Sequence, residues 1–579
     1  MYTENAGKFK EKLILVAMTI TGFMVILDTN IMNITIPDIQ SGLNVSLSDL
    51  SWAINIYTIL FASFLIPFGR LGDKIGHVKL LNTAIIVFAA GSIVSGMSQS
   101  LTMLIIGRSI QSIGAAVMLP SGMIIEFHHS TMKQRGKIVS IFAATQAMGA
   151  ALGPSIGGLV AQFMGWHWVF LINIPVVVLV LIINIATLSM KNEQVSASKI
   201  DIIGAVLIAL TLFLMTLGLV QGRNWGWTSA TTIGTFVTGL ISLVAFIYHD
   251  KHTSDPIVPL SLFKDRNFVA STIMILLSFT FLASFVGIMP TYLTKIMGVS
   301  ELHAGLLITP MSAAMLVATP IATNIIEKIN VKIPLTVGIL STAVGVYLLS
   351  KINVDNSWSQ LYIIDILIGI GVGCIAGPAL SLGINKLQGA DLTSGQNVLN
   401  VLRNVGAVIG IALFLSLLDG NITTAKQDTY DYSVRQVQKI DVAKGTKNKI
   451  DNKLHNKLVS SSTQISNGNK KIKTMTITNS AKNTLVNETY NKLLLQKQMA
   501  GVSVPAPMKL IMYKTVEQKA DASVLKINDQ ISTATHNIKH HLTVQLKDSF
   551  KILYSWELPA VLISLLGVFI YKNDPNKIK

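Results

Sequence analysis

Charge is scarce in this chain. Asp, Glu, Lys and Arg make up only 13% of its 579 residues, roughly half the share of an average soluble protein. Cysteine is nearly absent: with Cys374 alone, neither an internal disulfide nor a multi-cysteine metal site is possible. No phosphate-binding loop occurs, so ATP-driven chemistry within the chain is unsupported. His77, His128, His129, His167 and His303 lack metal-ligand spacing, and no residue set resembles a nucleophile triad. Neither an enzyme nor a bound cofactor is therefore expected. The opening MYTENAGKFKEK leads into an apolar run without a small-residue cleavage site, so retention of that first helix is expected.

What the chain has is apolar length. It is 51% hydrophobic with a mean hydropathy of +0.56, and its apolar runs of about 20 residues suffice as helices to cross a bilayer core. Fourteen spans are predicted: 13–36, 51–70, 79–98, 101–125, 137–161, 167–189, 202–221, 230–248, 267–290, 302–325, 333–350, 358–382, 396–418 and 553–571. Basic residues cluster in alternate short loops, as cytoplasmic loops do. They are Lys8, Lys10 and Lys12; Arg70, Lys74 and Lys79; Lys133, Arg135 and Lys137; Lys191 and Lys199; Lys251, Lys264 and Arg266; Lys328 and Lys332. The expectation is an all-α multi-pass cell-membrane protein with both termini cytoplasmic, monomeric and in contact with lipid. The net charge of +17 then marks loops and one external segment, not a nucleic-acid partner.

Residues 419–552 break the pattern with a polar stretch rich in Lys, Asn, Ser and Thr. Parity places it outside the cell, since long segments are translocated largely regardless of charge. Gly501, Pro505 and Pro507 mark a turn between two helical arms, and Val434, Val437, Leu454 and Leu458 fit such arms. A disordered loop, above all across SSSTQISNGNKK, is the alternative. Elsewhere the chain repeats itself. Asp73-Lys74-Ile75 aligns with Glu327-Lys328-Ile329, Pro120 with Pro378, and MGAALG with VGAVIG, which places Gly149 and Gly153 on Gly406 and Gly410. This order predicts a six-helix unit used twice, with two helices inserted at 202–248. The predicted parts are a first half over 13–189, the insertion, a second half over 267–418, the segment 419–552 and a final helix at 553–571.

Charges inside spans are costly and usually functional. Asp28 lies roughly two-thirds of the way across an outward-running first span, and Arg108 at similar depth in the inward-running fourth. As neighbours they form a pair that a proton on Asp28 would weaken; a static buried ion pair is the alternative. Asp365 in the twelfth span is a second protonation candidate, or an acid near the membrane edge. Gln396, Asn397, Asn400, Arg403 and Asn404 share one face of the thirteenth span, as a cavity wall or as packing contacts. Glu126 reads as an interfacial charge. Gly149, Gly153 and Gly157 recur every four residues and leave one face of the fifth span bare, with Pro154 as a bend. Trp166, Trp168, Trp225 and Trp227 read as interfacial anchors.

Several of these stretches, in order, resemble motifs of the major facilitator superfamily, specifically its fourteen-helix drug:proton antiporters of the QacA and EmrB type. LDTNIMNITIP resembles the first-helix motif and carries Asp28, Asn33 and Pro37. GRLGDKIGHVK resembles the superfamily loop motif, with Gly69, Asp73, Gly76 and Lys79 in place and His77 where a basic residue is usual. RSIQSIGAA resembles the fourth-helix motif through Arg108, Gln111 and Gly114, with Ser112 replacing a glycine. GAALGPSIGG, with Gly149, Gly153, Pro154, Gly157 and Gly158, resembles the fifth-helix antiporter motif, and WHWVFLINIP resembles a sixth-helix signature with His167 for Arg. The resemblance covers 13–418 and 553–571. It implies a major facilitator fold, alternating access, proton influx exchanged for drug efflux, coupling through Asp28 and Arg108, and Asp73 in a cytoplasmic gate.

The leading expectation is thus a proton antiporter exporting small lipophilic, cationic or amphipathic drugs, powered by the proton gradient. The alternative is an exporter of lipids, fatty acids or cell-surface components, or a binding protein, in which the 419–552 segment is functional.

Overall fold

The computed structural model describes residues 2–131, 134–190, 193, 201–326, 329–353, 357–442, 444–459, 479–500 and 504–572. Lys133, Lys191, Lys199, Glu327, Lys328, Gly501 and the SSSTQISNGNKK stretch fall outside them, as do the side chains of Asn33, Pro37 and Pro154. The described chain is helical throughout. Its helices are α1 (Tyr2–Ile31), α2 (Ile36–Leu43), α3 (Leu47–Ile75), α4 (His77–Gly96), α5 (Leu101–His128), α6 (Arg135–Met164), α7 (Trp168–Leu171), α8 (Asn173–Thr187), α9 (Ile202–Trp225) and α10 (Ala230–His252). They continue as α11 (Arg266–Thr291), α12 (Glu301–Ile325), α13 (Lys332–Ser350), α14 (Ser359–Ile384), α15 (Gly389–Gln438), α16 (Lys444–Leu458), α17 (Asn479–Met499), α18 (Ala506–Ile563) and α19 (Leu565–Val568).

Helix starts are written in the sequence. Ser46, Ser100, Asp201, Ser229, Asp265 and Ser300 each accept a backbone N–H from the first turn of the helix they precede, satisfying donors that have no partner within the helix. Among the described residues thirteen helices are long and apolar enough to cross a membrane. The fifth expected span, α6, with several side chains outside those described, is not among them. Ile182, Ile185, Ile203, Ile241, Val244 and Tyr248 are all more than half exposed. Water would not tolerate so wide an apolar exterior, whereas lipid does. The chain is a multi-pass membrane protein.

It divides into two compact units. The first comprises Met1–Thr294, Val299–Ser416 and Leu553–Lys579, and the second Lys295–Gly298 with Leu417–Ile552. In the first, α1 packs on α5, α6 and α8, α4 on α5, and α3 on α5 and α9; α14 packs on α11, α12 and α13. The predicted repeat has a physical form. A Cβ on Gly149 would lie 2.9 Å from the Phe23 carbonyl oxygen of α1, and a Cβ on Gly406 would lie 2.3 Å from the Leu276 carbonyl oxygen of α11. Each bare face thus lets a helix touch the backbone of the first helix in its half. Gly410 does the same beside the Thr280 carbonyl oxygen at 2.2 Å, and a Cβ on Gly153 would lie 2.9 Å from the Asn30 Cβ. Gly157 is buried and Gly158 half-buried.

Within the second unit the first part of α15 and the last part of α18 do not enter, and the remaining helices pair antiparallel. Asn421 donates to the Ser549 carbonyl, Tyr432 stacks on His541, and Lys526 bridges Asp441. Tyr430 donates to Asp451, and Lys482 bridges Asp521. The two predicted arms become four helical stretches, and the expected borders near 418 and 552 fall inside the unbroken helices α15 and α18. Near the residues expected to form the turn, α17 ends at Met499 and α18 begins at Ala506, after Pro505 and with Pro507 in its first turn; Gly501 lies outside the described residues.

Candidate functional site

Asp28 stands one turn before the end of α1, where a 3-10 turn at Met32–Thr35 interrupts the helix. The buried carboxylate accepts three hydrogen bonds. Arg108 Nη1 donates to Oδ2 at 2.7 Å; Gln111 Nε2 and Asn173 Nδ2 donate to Oδ1 at 3.1 and 2.8 Å. Gln111 lies on the face of Arg108, three residues on, and its Oε1 accepts from Arg108 Nη1 at 3.1 Å and from Ser95 at 3.3 Å. Ser92 Oγ accepts from Gln111 at 2.7 Å and from Asn173 at 3.3 Å. The guanidinium carbon lies 4.1 Å from the Tyr57 ring centroid and 5.8 Å from that of Phe170, within cation–π range. One negative and one positive charge, both buried, thus tie together six helices: α1, α3, α4, α5, α7 and α8. Asn173 can reach because the sixth span breaks at Ile172. Pro175 offers no N–H to the Leu171 carbonyl, and α8 restarts at Asn173.

A second cluster joins the two halves. Asp73 Oδ1 accepts from Thr393 Oγ1 of α15 at 2.7 Å and lies 3.1 Å from His77 Nε2, while Arg70 Nη1 is 3.7 Å from Oδ2. Arg70 Nε donates to the Ile257 carbonyl at 2.9 Å, and its Nη2 donates to the Pro256 carbonyl. Gly69 is bare because a Cβ there would fall 1.8 Å from Asn397 Nδ2. Gly76 takes φ +99°, which a side chain disfavours. The Glu193 carboxylate fills that space and accepts the Val78 and Lys79 backbone N–H groups at 2.5 and 3.4 Å. It thereby neutralises the start of α4. The Lys79 side chain itself is exposed. Arg135 Nη1 adds a contact to the Leu387 carbonyl at 3.4 Å.

The second half is differently furnished. Asp365 is fully buried in α14, and neither carboxylate oxygen has a hydrogen-bond partner among the described residues. The side-chain amides of Gln396 and Asn397 and the Asn400 nitrogen are likewise buried without partners. Arg403 Nη1 donates to Gln146 Oε1 of α6, with its guanidinium 4.7 Å over Phe279. Asn404 donates to the Asn400 carbonyl at 2.8 Å. Asp365 therefore stands apart from the Asp28 cluster and from the Arg403 contact.

Several site residues were not singled out from sequence: Tyr57, Ser92, Ser95, Gln146, Asn173, Glu193 and Glu557. Serines and amides are ordinary in helices, and only their shared depth shows their role. Glu557, 1% exposed on α18, did leave a trace. Glu557-Leu558-Pro559 repeats the spacing of Asn173-Ile174-Pro175 in the corresponding span of the first half. Trp166 corrects the reading of interfacial anchors: it is 7% exposed and packs with Ile39, Leu104 and Phe170. The adjoining loop folds it inward as part of the core. Trp168, by contrast, is 45% exposed.

The model of the Major Facilitator Superfamily matches residues 18–411. The chain belongs to that superfamily. Among superfamily relatives it is similar to the multidrug transporter protein MdtP of Bacillus subtilis, with 30% identity over 438 residues, 74% of this chain and 80% of that one. It is also similar to the probable multidrug resistance protein EmrY of Escherichia coli, with 26% identity over 404 residues, 69% of this chain and 79% of that one. The fold matches the crystal structure of the human organic anion transporter MFSD10 (TETRAN) with a TM-score of 0.50, at 13% identity, over 70% of this chain and 93% of that one.

Proposed function

We propose that this superfamily member exports small lipophilic drugs, cationic or amphipathic in character, in exchange for protons by alternating access. The observation that carries the reading is the buried Asp28–Arg108 pair at 2.7 Å, held by Gln111, Asn173 and Ser92 from other helices. The names of the relatives, which refer to multidrug transport and resistance, support the substrate class.

Protonating Asp28 would remove one charge of the pair and leave Arg108 buried with only dipoles and aromatic rings, a costly state. Gln111 and Asn173, which donate to the carboxylate, would lose an anionic acceptor at the same moment. Six helices meet at that point, so relief requires helix movement, and proton binding acquires differential affinity for two conformations. The links from Asp73 to Thr393, Arg70 to the 256–257 backbone and Arg135 to Leu387 describe the arrangement in which the halves are joined on the motif-bearing side. With that side cytoplasmic, the site is closed to the cytoplasm. The unpartnered amides of Gln396, Asn397 and Asn400 and the acid Asp365 offer polar contacts for a cationic substrate amid apolar walls.

Ethidium accumulation in energised cells tests the reading. Cells expressing the protein accumulate less ethidium, and a protonophore reverses the difference. Equal accumulation with and without the protein counts against ethidium as a substrate and favours narrower, lipid-like cargo. A second reading places function in the segment 417–552, because it forms a compact unit of its own. Deleting 422–548, so that Asn421 meets Ser549, leaves efflux intact on the first reading and abolishes activity on the second.

A further inference from the structure

Glu557 is a buried acid that the Asp28 cluster does not use. Its Oε1 lies 2.7 Å from Ser284 Oγ of α11, and its Oε2 has no partner among the described residues. The hydroxyl of Ser284 is also 2.6 Å from the Phe281 carbonyl oxygen. Hydrogen atoms decide what this geometry means. Ser284 owns one proton and stands between two oxygens, and a carbonyl can only accept. If Glu557 were ionised, Ser284 would have to split its one proton between the two short contacts, a three-centre bond weaker on each arm than a full hydrogen bond. If Glu557 carries a proton, its O–H donates to Ser284 Oγ, Ser284 donates to the Phe281 carbonyl, and both contacts are hydrogen bonds.

The surroundings agree. Glu557 and Ser284 are 1% and 0% exposed, and an unpaired carboxylate so placed is costly to desolvate. Tyr554, one turn earlier on α18, lies near both Glu557 and Tyr292, and both tyrosines are buried. Among the described residues, Lys332 and Lys351 at the ends of α13, Asp365 on α14 and Arg403 on α15 form no ion pair with Glu557, whose hydrogen-bond contact is to Ser284. The repeat gives the position its meaning. Asn173 bonds Asp28 on the first helix of its half, and Glu557, at the same place before a proline, bonds Ser284 on the first helix of the other. Counting from the glycine contacts places Phe281, to within a turn, where Asp28 stands. At this level α11 carries no acid, and Glu557 stands on the last helix of the half instead.

We propose that Glu557 is a second proton-binding site of the transport cycle, held protonated through Ser284 when α11 and α18 are packed and released when they part. On release the carboxyl O–H bond breaks, the proton passes to water, and Ser284 keeps its own proton on the Phe281 carbonyl. The role in the cycle rests on the proton-coupled reading above; the protonation itself does not.

The full-length protein in nanodiscs tests the protonation without any transport. At neutral pH the infrared spectrum of the wild type should show a protonated carboxylic-acid C=O band that Glu557→Gln lacks, and alkaline titration should remove it. Identical carboxyl bands in the two proteins would overturn the proposal. Ser284→Ala keeps the acid but deletes the relay, so the band should persist at a shifted frequency; an unshifted band denies Ser284 its part, and this variant serves equally should Glu557→Gln fail to fold. In cells showing protonophore-sensitive efflux, Glu557→Gln should flatten the pH profile of the rate. A rate lowered by the same factor at every pH would assign Glu557 to packing alone. Loss of the infrared difference sinks Glu557 as a proton site, whereas absence of protonophore-sensitive efflux sinks only the coupled reading.

Discussion

The two halves of the membrane unit share a helical plan but treat buried acids in opposite ways. In the first, Asp28 is surrounded: Arg108 balances its charge, and Gln111 and Asn173 complete its shell. In the second, among the described residues, Asp365 has no hydrogen-bond partner and Glu557 has one serine. A buried carboxylate with a cation and two further donors is comfortable ionised, whereas one with nothing around it is comfortable only with its proton. The contrast separates an acid whose protonation disrupts a network from acids whose deprotonation is the disruptive event. A transporter that moves protons needs a group that takes one up and a conformation that makes it let go.

Breaking the first-half pair should have the largest effect. Asp28→Leu leaves Arg108 buried without a counter-charge and should cost about 3–5 kcal/mol of stability, read as a lowered unfolding temperature of the purified protein. The double variant Asp28→Leu with Arg108→Met should recover much of that loss. Failure to recover would show that Gln111, Asn173 and the serines matter more than the charges.

The glycine faces come next. A Cβ on Gly410 would sit 2.2 Å from a backbone oxygen and one on Gly149 2.9 Å from another. Gly410→Ala should therefore cost more than Gly149→Ala, each within about 1–3 kcal/mol. The reverse order would mean that the second half tolerates separation of α15 from α11 better than the first tolerates the equivalent.

Asp365→Leu sharpens the comparison of the acids. With no partner to orphan, the change should shift stability by about 1 kcal/mol or less, and in the stabilising direction if it shifts at all. A loss as large as that of Asp28→Leu would reveal a partner for Asp365 in the native membrane. The smallest effect belongs to the second unit. Lys526 beside Asp441 holds that carboxyl below the ordinary carboxylate range. The pair's contribution is thus present above that range and lost as the pH falls through the lowered value. Both groups are two-thirds exposed, so Lys526→Ala should leave the unfolding midpoint unchanged within error at neutral pH and at pH 3 alike.

Much of this was legible in the sequence, and what was not has a common cause. Asp28 and Arg108 stood out because charge within an apolar run is rare, and counting residues put them at one depth. The glycine spacing of the fifth span foretold one close helix approach, since only glycine leaves a face bare, and the match of MGAALG to VGAVIG pointed to the position of the second. Ser92 passed unnoticed because a serine in a helix is unremarkable until its neighbours are known, and Asn173 stood within the WHWVFLINIP signature without any sign of its bond to Asp28. Glu557 stood unremarked inside the expected span 553–571, since nothing in its immediate sequence, next to the charged KDSFKILYSW stretch, showed that it would be buried against α11. Trp166 misled for the opposite reason, since an aromatic at a span end fits an interface as well as a core. The segment 419–552 showed its helices only in part, because polar helices that pair through scattered contacts such as Tyr430–Asp451 carry a weak apolar period.

Proton movement triggered by drug is the most direct test of the coupling assigned to Asp28. The purified protein is reconstituted in liposomes that hold a pH gradient and a pH-sensitive dye, and ethidium is added from the trans side. The account predicts that ethidium accelerates collapse of the gradient with the wild type and has no effect with Asp28→Asn inserted at equal density. Equal acceleration by both proteins would remove Asp28 from the mechanism and leave its pair with Arg108 as a structural fastening.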